Sequence, residues 1–279
     1  MTASLPAFDA TVTDLVARIG DDVAIAKSEC GAAMSATRAL IASGRRGLRL
    51  LTVPTSTLQA DLLIGAGCLR EIETSGVSMG ELGQAPAFGR AARAGTLVIK
   101  DYSCPAIYAA LQAAEKGIPF MPIRGYLGSD ILTWRDDIKV IDNPFAEVGD
   151  PIVLLPALQP QAALFHAPLA DRHGNVWIGR HKPAMLLAHA ARETFVTVEQ
   201  VVDTDLLDDP LYGPATIPSL YIRAIAVAPQ GAWPLGLGGC YPPNLDHLAL
   251  YAQLAATEAG FASYLDEHVF ARARDEASR

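Results

Sequence analysis

Short apolar runs alternate with helix-like segments through the first half of this chain. Leu48–Val53 and Phe120–Ile123 have the composition of buried strands, and the segment Pro105 to Lys116 between them begins with a proline and is followed by Gly117. Proline suits a first helical turn and glycine suits the residue after a helix. Strands separated by helices of about ten to fifteen residues are typical of a parallel sheet with both faces covered. The pattern predicts the α/β class, with an open, mainly parallel sheet flanked by helices.

The size of the chain is compatible with one large domain. Its 279 residues are 51% hydrophobic, which is enough to bury a full core. We interpret residues 1–279 as a single domain and expect the charged tail, residues 271–279, to be frayed. The apolar runs are shorter than the roughly 18 residues that a bilayer span needs, so no membrane association is expected.

The net charge and the positions of the cysteines indicate which partners and which cellular compartment are expected. A net charge of −8 leaves no basic stripe for a phosphate backbone, so nucleic acid is excluded as an expected partner. Cys30, Cys68, Cys104 and Cys240 lie far apart and form no Cys-x-x-Cys pair or Cys/His cluster, so no metal site is predicted. The chain begins without a cationic or apolar leader, and reduced thiols in the cytoplasm are expected.

The second half of the chain has a different pattern of predicted secondary structure. After Asp142, apolar runs follow one another with little helical pattern between them. The stretch Asp171 to Asn175 is typical of a tight hairpin turn in which Gly174 adopts a positive φ. A final helix is predicted from Leu245 to about Leu265.

Several short motifs occur in a fixed order along the chain. They are Ser75-Gly76-Val77, Ala91 to Gly95, Lys100 to Ser103, Gly117 to Pro122, Gly128-Ser129, Ile141 to Phe145 and Ala163 to Val176. In order and spacing they resemble the alpha chain of the glutaconate-type, family I coenzyme A transferases, over roughly residues 9 to 250. The resemblance implies the coenzyme A transferase fold, also called NagB/RpiA-like.

The resemblance also implies a divided active site. In such enzymes the nucleophile is a glutamate of the beta subunit, which adds to an acyl-CoA thioester and gives an acyl anhydride and then an enzyme-bound coenzyme A thioester. The alpha subunit then supplies an oxyanion-binding loop and part of the pocket. A beta-subunit partner in an αβ or α2β2 assembly is therefore expected. Coenzyme A enters as part of the substrate, and no permanently bound cofactor and no metal are implied.

Two segments depart from the family pattern where the active site is expected. The family usually has Gly-Gly-Phe after the first strand, whereas this chain has Ser28-Glu29-Cys30-Gly31. The family commonly has Gly-Ala-His-Pro near the C-terminus, whereas this chain has Gly236-Leu237-Gly238-Gly239, without the imidazole. Ser28, Gly31 and Gly238 are predicted substrate contacts. The departures favour decarboxylation or hydrolysis of a CoA thioester as an alternative to transfer.

Glu29 and Cys30 are the reactive side chains of the first of these segments. Glu29 is a candidate nucleophile, substrate contact or acid/base group, or a structural carboxylate that is paired with Arg38 or Lys27 or solvated in a loop. Cys30 is a candidate reactive thiol that contacts substrate, or a small buried side chain. The sequence leaves both alternatives open.

Two further loops are candidate binding elements. Ser75 and Gly76 open a glycine-rich stretch that extends through Gly89, and a serine hydroxyl with exposed amides can hold a carboxylate or thioester oxygen. The alternative is an ordinary turn. After the strand that ends at Ile123, the second loop places candidate contacts at a carboxyl strand end, where open sheets bind ligands: Arg124, Gly125, Gly128 and Ser129. Arg124 would pair with a substrate carboxylate or a CoA phosphate, or is a surface arginine.

Asp101 and the histidines complete the candidates. Asp101 follows a strand and would act as a general base if burial raised its pKa, or would cap the next helix. His166 lies in an apolar run, where a hydrogen-bonded core histidine is the usual finding, and His173 and His181 lie in predicted turns.

Together these observations predict the alpha subunit of a two-component, CoA-transferase-like enzyme acting on acyl-CoA thioesters of carboxylic acids. A decarboxylase or hydrolase on the same scaffold is one alternative. A non-catalytic scaffold or binding subunit is the other.

Overall fold

Strands form the framework of the molecule. The computed structural model describes residues 7–8, 11–26 and 31–277. In chain order the strands are β1 (Ala7–Phe8), β2 (Asp22–Ala26), β3 (Leu48–Val53), β4 (Leu69–Thr74), β5 (Val98–Asp101), β6 (Phe120–Ile123), β7 (Lys139–Asp142), β8 (Pro151–Pro156), β9 (Ala162–Asp171), β10 (Val176–Trp177), β11 (Glu193–Val202), β12 (Thr216–Ile217) and β13 (Ala224–Val227).

The larger sheet is parallel along its main path. Its strands lie in the order β1, β13, β11, β9, β2, β3, β4, β5, and each neighbouring pair runs parallel. β10 pairs antiparallel with the end of β9, through the predicted hairpin turn, and with β12. The predicted open, mainly parallel sheet is confirmed.

Helices cover both faces of this sheet. They are α1 (Val12–Ala17), α2 (Met34–Ala42), α3 (Leu58–Gly65), α4 (Pro86–Ala94), α5 (Cys104–Glu115), α6 (Ile131–Trp134), α7 (Lys182–Ala190), α8 (Leu245–Leu254), α9 (Glu258–Tyr264) and α10 (Ala271–Ala277), with a π-helical segment, Leu265–Phe270, between the last two. Within the described residues, no helix has both the length and the apolar composition to span a bilayer.

Alternation along the central strand β2 separates two cores. Val23 and Ile25 pack in the core formed with α1 to α4, α8 and α9, whereas Ala24 and Ala26 pack in the core formed with α5 and α7. Successive side chains of a strand point to opposite faces, so a strand that is apolar throughout needs cover on both sides. The parallel direction of the strands places their carboxyl ends at one edge of the sheet.

The strand β6 does not join the parallel sheet. It pairs antiparallel with β8, which also pairs antiparallel with β7, and these strands form a separate small sheet. Val153 and Leu155 of β8 pack in the same core as α5. The prediction that β6 continues the parallel sheet is wrong, because periodicity identifies a strand but not the partner that it meets later in the chain.

The C-terminal segment is docked rather than frayed as far as Ala277. The carboxylate of Glu276, in α10, accepts hydrogen bonds from Arg38 Nη2 at 2.5 Å and from Arg38 Nε at 3.1 Å. The Arg38 side chain is only 2% exposed, and a buried guanidinium needs such a counter-charge. The charged residues of the tail predict fraying, but one of them, Glu276, is the partner of a buried cation.

The final helix is interrupted instead of continuous. α8 ends at Leu254, and the Thr257 side chain accepts a hydrogen bond from Gly260 N at 3.0 Å, which caps α9. A new cap inside an apolar, helix-like stretch divides it into two helices that can change direction.

A buried aspartate joins helices α3, α4 and α8. Asp61 of α3 is fully buried, and its carboxylate accepts hydrogen bonds from Ala87 N at 3.1 Å and Phe88 N at 2.6 Å, in the first turn of α4. Tyr251 of α8 donates its hydroxyl to the same carboxylate at 2.5 Å. The helix α4, which includes Gly89 of the predicted glycine-rich loop, is thus capped by a residue far away in the sequence.

Candidate functional site

Loops from distant parts of the chain meet at the carboxyl ends of β3, β4 and β13. Because neighbouring strands are parallel, these ends lie at one edge of the sheet, where open α/β folds usually bind ligands. A cavity of about 400 Å³ lies there, and we call it the edge cavity. It is lined by Thr57, Met79, Gly80, Leu235, Gly236, Gly238, Tyr241, Pro242, Pro243 and Leu248.

The edge cavity is mainly apolar. Thr57 and Tyr241 supply the polar side chains of its wall, and no carboxylate, imidazole or thiol lines it in the part of the chain that the structure describes. Such a wall can bind an apolar acyl chain and orient a polar group. Among the described residues, it provides no carboxylate, imidazole or thiol that could attack a thioester.

The hydroxyl of Tyr241 is fixed from behind the cavity wall. It donates to Glu199 Oε1 at 2.7 Å and accepts from Ala232 N at 3.1 Å. Burial, together with the hydrogen bond to Glu199, raises the pKa of Tyr241 above its ordinary value. The phenol therefore stays protonated at neutral pH and acts as part of the wall.

Glu199 connects this tyrosine to a buried histidine. His166 Nε2 lies 2.7 Å from Glu199 Oε1, and His166 Nδ1 lies 2.8 Å from the hydroxyl of Thr197. Burial by itself would raise the pKa of Glu199, but the hydrogen bonds from His166 and Tyr241 lower it overall, so the carboxylate is ionised. The prediction of a hydrogen-bonded core histidine at His166, which is 1% exposed, is confirmed.

Gly31 lies against the same histidine. Its φ is +89°, its carbonyl accepts a hydrogen bond from His166 N at 2.8 Å, and a Cβ built on it would overlap the His166 carbonyl oxygen. Glycine is required here because the backbones approach closely and φ is positive. Packing and backbone conformation therefore explain why residue 31 is a glycine. Its role as a substrate contact stays a prediction.

Replacing Gly31 by alanine should lower the free energy of unfolding by about 3 kcal/mol, because the methyl group adds both a disfavoured φ and a clash with backbone. Urea unfolding followed by circular dichroism measures this. Gly44→Ala is the matched control, since Gly44 has a φ of +72° but no atom within 4 Å of a built Cβ. That variant should lose only about 1 kcal/mol. Equal losses in the two variants would contradict the close approach.

Ser28, Glu29 and Cys30 lie outside the described residues. Their roles stay predictions.

Ser75 and Gly76 follow β4 at the same edge of the sheet. Ser75 N and Ser75 Oγ both donate to the carbonyl of Pro54, at 3.0 and 2.9 Å, and Gly76 N donates to Thr74 Oγ1 at 2.9 Å. The amides predicted to be exposed are therefore used inside the chain. Ser75 Oγ also lies 3.1 Å from Cys104 Sγ, an exposed thiol.

Asp101 lies at the surface of the chain, away from the edge cavity. It is the exposed last residue of β5, and its backbone carbonyl accepts a hydrogen bond from Arg135 Nη1 at 3.0 Å. β5 is the outer strand of the sheet and does not reach the edge cavity. A catalytic role for Asp101 stays a prediction without support from burial.

Arg124 belongs to the small sheet and has a partner within the chain. Its guanidinium donates from Nη1 and Nη2 to the Asp150 carboxylate, the Nη2 bond being 2.7 Å, and holds the pKa of the Asp150 carboxyl at about 2. Ser129 Oγ donates to the carbonyl of Tyr126 at 2.8 Å, and Gly125 and Gly128 are exposed in the same loop. Because β6 is not a strand of the parallel sheet, the placement of these residues at its ligand-binding edge is wrong.

Gly238 is the predicted contact that the structure places in the edge cavity. Thr57, Met79, Tyr241 and Leu248 of its wall are not among the predicted contacts. The sequence gives one indication that Thr57 could lie at a binding site, because this residue follows a strand and precedes a helix. It gives none for the other three, since the sequence does not show which distant loops share an edge.

The chain matches a family model described as coenzyme A transferase, over residues 10–228. It is 30% identical, over 257 residues, to the A component of a 3-oxoadipate CoA-transferase from Pseudomonas knackmussii, and the match covers 90% of this chain and 88% of that protein. An uncharacterised protein of Archaeoglobus fulgidus is 32% identical over 231 residues, or 81% of this chain and 51% of that protein. The chain thus spans about half the length of the archaeal relative.

Two solved structures share the fold at above a quarter sequence identity. Glutaconate coenzyme A-transferase from Acidaminococcus fermentans superposes with a TM-score of 0.87 and 27% identity, covering 96% of this chain and 90% of that one. A variant of the decarboxylase AibA/AibB superposes with a TM-score of 0.81 and 29% identity, covering 95% of this chain and 100% of that one. One scaffold thus occurs in enzymes with different reactions.

Proposed function

This chain belongs to the coenzyme A transferase family, and from that premise we propose that it is the alpha component of a two-subunit enzyme acting on coenzyme A thioesters. The relatives named for 3-oxoadipate and glutaconate support a thioester of a dicarboxylic acid as the substrate class. We take residues 1–279 as one such domain. Coenzyme A is a carrier within the substrate, and no permanently bound cofactor is proposed.

The observation that carries this proposal is the composition of the edge cavity. It lies where an α/β sheet binds ligands, is wide enough for an acyl chain, and has no nucleophilic carboxylate along its described wall. A companion beta subunit would bring the glutamate. This chain would supply the apolar wall and Tyr241.

In this proposal, the two subunits have different roles in the transfer reaction. The companion's carboxylate adds to the thioester carbonyl and releases coenzyme A as its thiolate, which leaves an acyl anhydride. The thiolate then attacks the glutamyl carbonyl and releases the free acid, which leaves a coenzyme A thioester on the enzyme. An acceptor acid reverses both steps, and the edge cavity holds first one acyl group and then the other.

The assembled enzyme should exchange coenzyme A between glutaryl-CoA and labelled acetate. The experiment coexpresses the chain with its companion and follows glutaryl-CoA, glutarate and acetyl-CoA by liquid chromatography. Acetyl-CoA formed in step with glutarate supports transfer. Glutarate released at the same rate without acetate contradicts it.

Hydrolysis or decarboxylation is the second candidate reaction. The fold of the decarboxylase AibA/AibB and the altered segments at residues 28–31 and 236–239 favour it. In the same experiment a hydrolase forms free glutarate and coenzyme A without acceptor. A parallel run with glutaconyl-CoA, whose conjugated thioester can accept the electron pair left by carbon dioxide, detects a decarboxylase as a shortened acyl-CoA. Either product pattern would replace transfer as the reaction of this scaffold.

We further propose that the protein works in the cytoplasm. Cys68, Cys104 and Cys240 are free thiols in the described part of the chain, which is the form that reducing compartments maintain. Detection in a soluble, reducing fraction after cell fractionation supports this location.

A further inference from the structure

His181 carries a buried nitrogen without a hydrogen-bond partner. The residue precedes the first turn of α7, is 8% exposed, and its Nε2 atom has no partner among the described residues. An unpaired buried polar atom normally costs stability, and native proteins keep few of them. Such a nitrogen is a candidate ligand contact where a cavity lies next to it.

The ring of His181 lies directly behind the wall of the edge cavity. A Cβ built on Gly238 would be 3.2 Å from His181 Cε1 and 3.4 Å from His181 Nε2. Gly238 is itself exposed and lines the cavity. The unpaired nitrogen thus lies beside one glycine of the cavity wall.

The segment over the ring is a glycine-rich turn, closed by backbone hydrogen bonds between Leu237 and Tyr241. Gly236, Gly238 and Gly239 fall within four positions, and Gly239 has a φ of +85°. Glycine has no side chain to anchor a loop and adopts many backbone conformations. A ligand in the cavity could therefore reach His181 Nε2 only if Gly238 were displaced within this turn.

The chemical state of His181 defines what it can bind. Burial lowers the pKa of its imidazole, so the ring is neutral at physiological pH, with one nitrogen as donor and the other as acceptor. The Tyr241 hydroxyl already has two partners, Glu199 and Ala232 N. A polar group of a bound acyl chain would therefore find few other donors in this cavity.

We propose that His181 is a specificity-determining residue of the edge cavity, whose Nε2–H donates a hydrogen bond to the distal carboxylate of a dicarboxylic acyl group when Gly238 is displaced. A carboxylate accepts hydrogen bonds and cannot donate them, so it fits a neutral imidazole N–H. The site would prefer glutaryl-CoA over valeryl-CoA, an acyl chain of the same length without the carboxylate. This inference rests on the proposed function in so far as the ligand is a coenzyme A thioester.

The test replaces His181 in the assembled two-subunit enzyme. His181→Phe should lower kcat/KM for glutaryl-CoA about tenfold, mainly through KM, and leave valeryl-CoA unchanged, since one hydrogen bond is lost. His181→Gln, which keeps an N–H donor, should recover part of the preference. The melting temperature of His181→Phe should equal or exceed that of the parent, because an unpaired polar atom is removed from the interior. A structural role predicts the opposite change in stability.

The matched control is His189, at the other end of the same helix. Its Nε2 is also buried without a partner among the described residues, while its Nδ1 lies 3.2 Å from Glu115, about 12 Å along α7 from His181. His189→Phe should leave both kcat/KM values unchanged. Equal losses for glutaryl-CoA and valeryl-CoA in His181→Phe, or the same effect in His189→Phe, would overturn the proposal.

A binding measurement separates this inference from the proposed function. Titration of the ¹⁵N-histidine-labelled protein with glutarate should shift the His181 imidazole resonances, and titration with valerate should not. If the enzyme turns over no thioester but glutarate shifts His181, the proposed function is contradicted and the carboxylate contact stands. If neither acid shifts His181, the contact is overturned even in an active transferase.

Discussion

Purified without its companion, the chain should turn over glutaryl-CoA at least about a thousandfold more slowly than the two-subunit enzyme, because loss of a nucleophile has effects of this size or larger. Within the described residues, the edge cavity offers the hydroxyls of Thr57 and Tyr241 and no carboxylate. The Tyr241 hydroxyl is bound to Glu199, and its raised pKa keeps it protonated. Steady-state assays of each polypeptide and of the mixture measure the difference.

A control must establish that the isolated chain is folded. Circular dichroism and size-exclusion chromatography should give a folded protein, and adding the companion should restore turnover. Glu29, outside the described residues, is the carboxylate most able to overturn this expectation. Rapid turnover by the isolated chain that is lost in Glu29→Gln would place the nucleophile in this polypeptide.

Replacing Asp61 by alanine should lower the free energy of unfolding by about 4 kcal/mol, because it leaves buried donors unpaired. The carboxylate accepts the N–H groups of Ala87 and Phe88 and the hydroxyl of Tyr251. Its loss removes the cap of α4 and the contact between α3 and α8. Urea unfolding with linear extrapolation gives the free energies of the variant and the parent.

Two variants calibrate this result. Tyr251→Phe removes one of the donors and leaves the carboxylate with two backbone partners, so it should lose about 1 kcal/mol. Asp136→Ala removes an exposed aspartate and should change stability by less than about 0.5 kcal/mol. A loss below about 1 kcal/mol in Asp61→Ala would show that water or rearrangement replaces the carboxylate.

The pH dependence of Asp61→Asn gives an independent check. Burial raises the pKa of the Asp61 carboxyl, although hydrogen bonds from Tyr251, Phe88 and Ala87 act in the opposite direction. The folded protein therefore binds this proton more tightly than the unfolded chain does. Stability from this group is fully present below the unfolded pKa of 3.8 and is lost as the pH rises through the folded value. The free energy of unfolding of the parent minus that of Asp61→Asn should be largest at acid pH and shrink towards neutrality.

Local patterns predict the elements of this fold better than their partners. Leu48–Val53 and Phe120–Ile123 are strands with the predicted bounds, since short apolar runs between turn residues permit little else. The sequence does not show that β6 meets β8 instead of extending the parallel sheet. It also does not show that Glu276 neutralises a buried arginine. Both are long-range pairings, which tertiary packing selects among several possible partners.

The candidate site is predictable only in part, for the same reason. Gly238 stands out by its departure from a family motif, and it does line the edge cavity. Arg124 follows β6, which belongs to the small antiparallel sheet and not to the parallel sheet. His181 gives no signal as a turn residue, because an unpaired nitrogen is a property of the surrounding structure and not of the residue type.

The walls of the edge cavity come from residues 57–80 and 235–248. A ribosome releases the first of these segments long before the second, and growing chains begin to fold from their N-terminal side. A nascent chain would therefore expose apolar residues such as Met79 without the later wall against which the cavity closes. Closure of this cavity, and the binding of any ligand in it, must then follow translation instead of accompanying it.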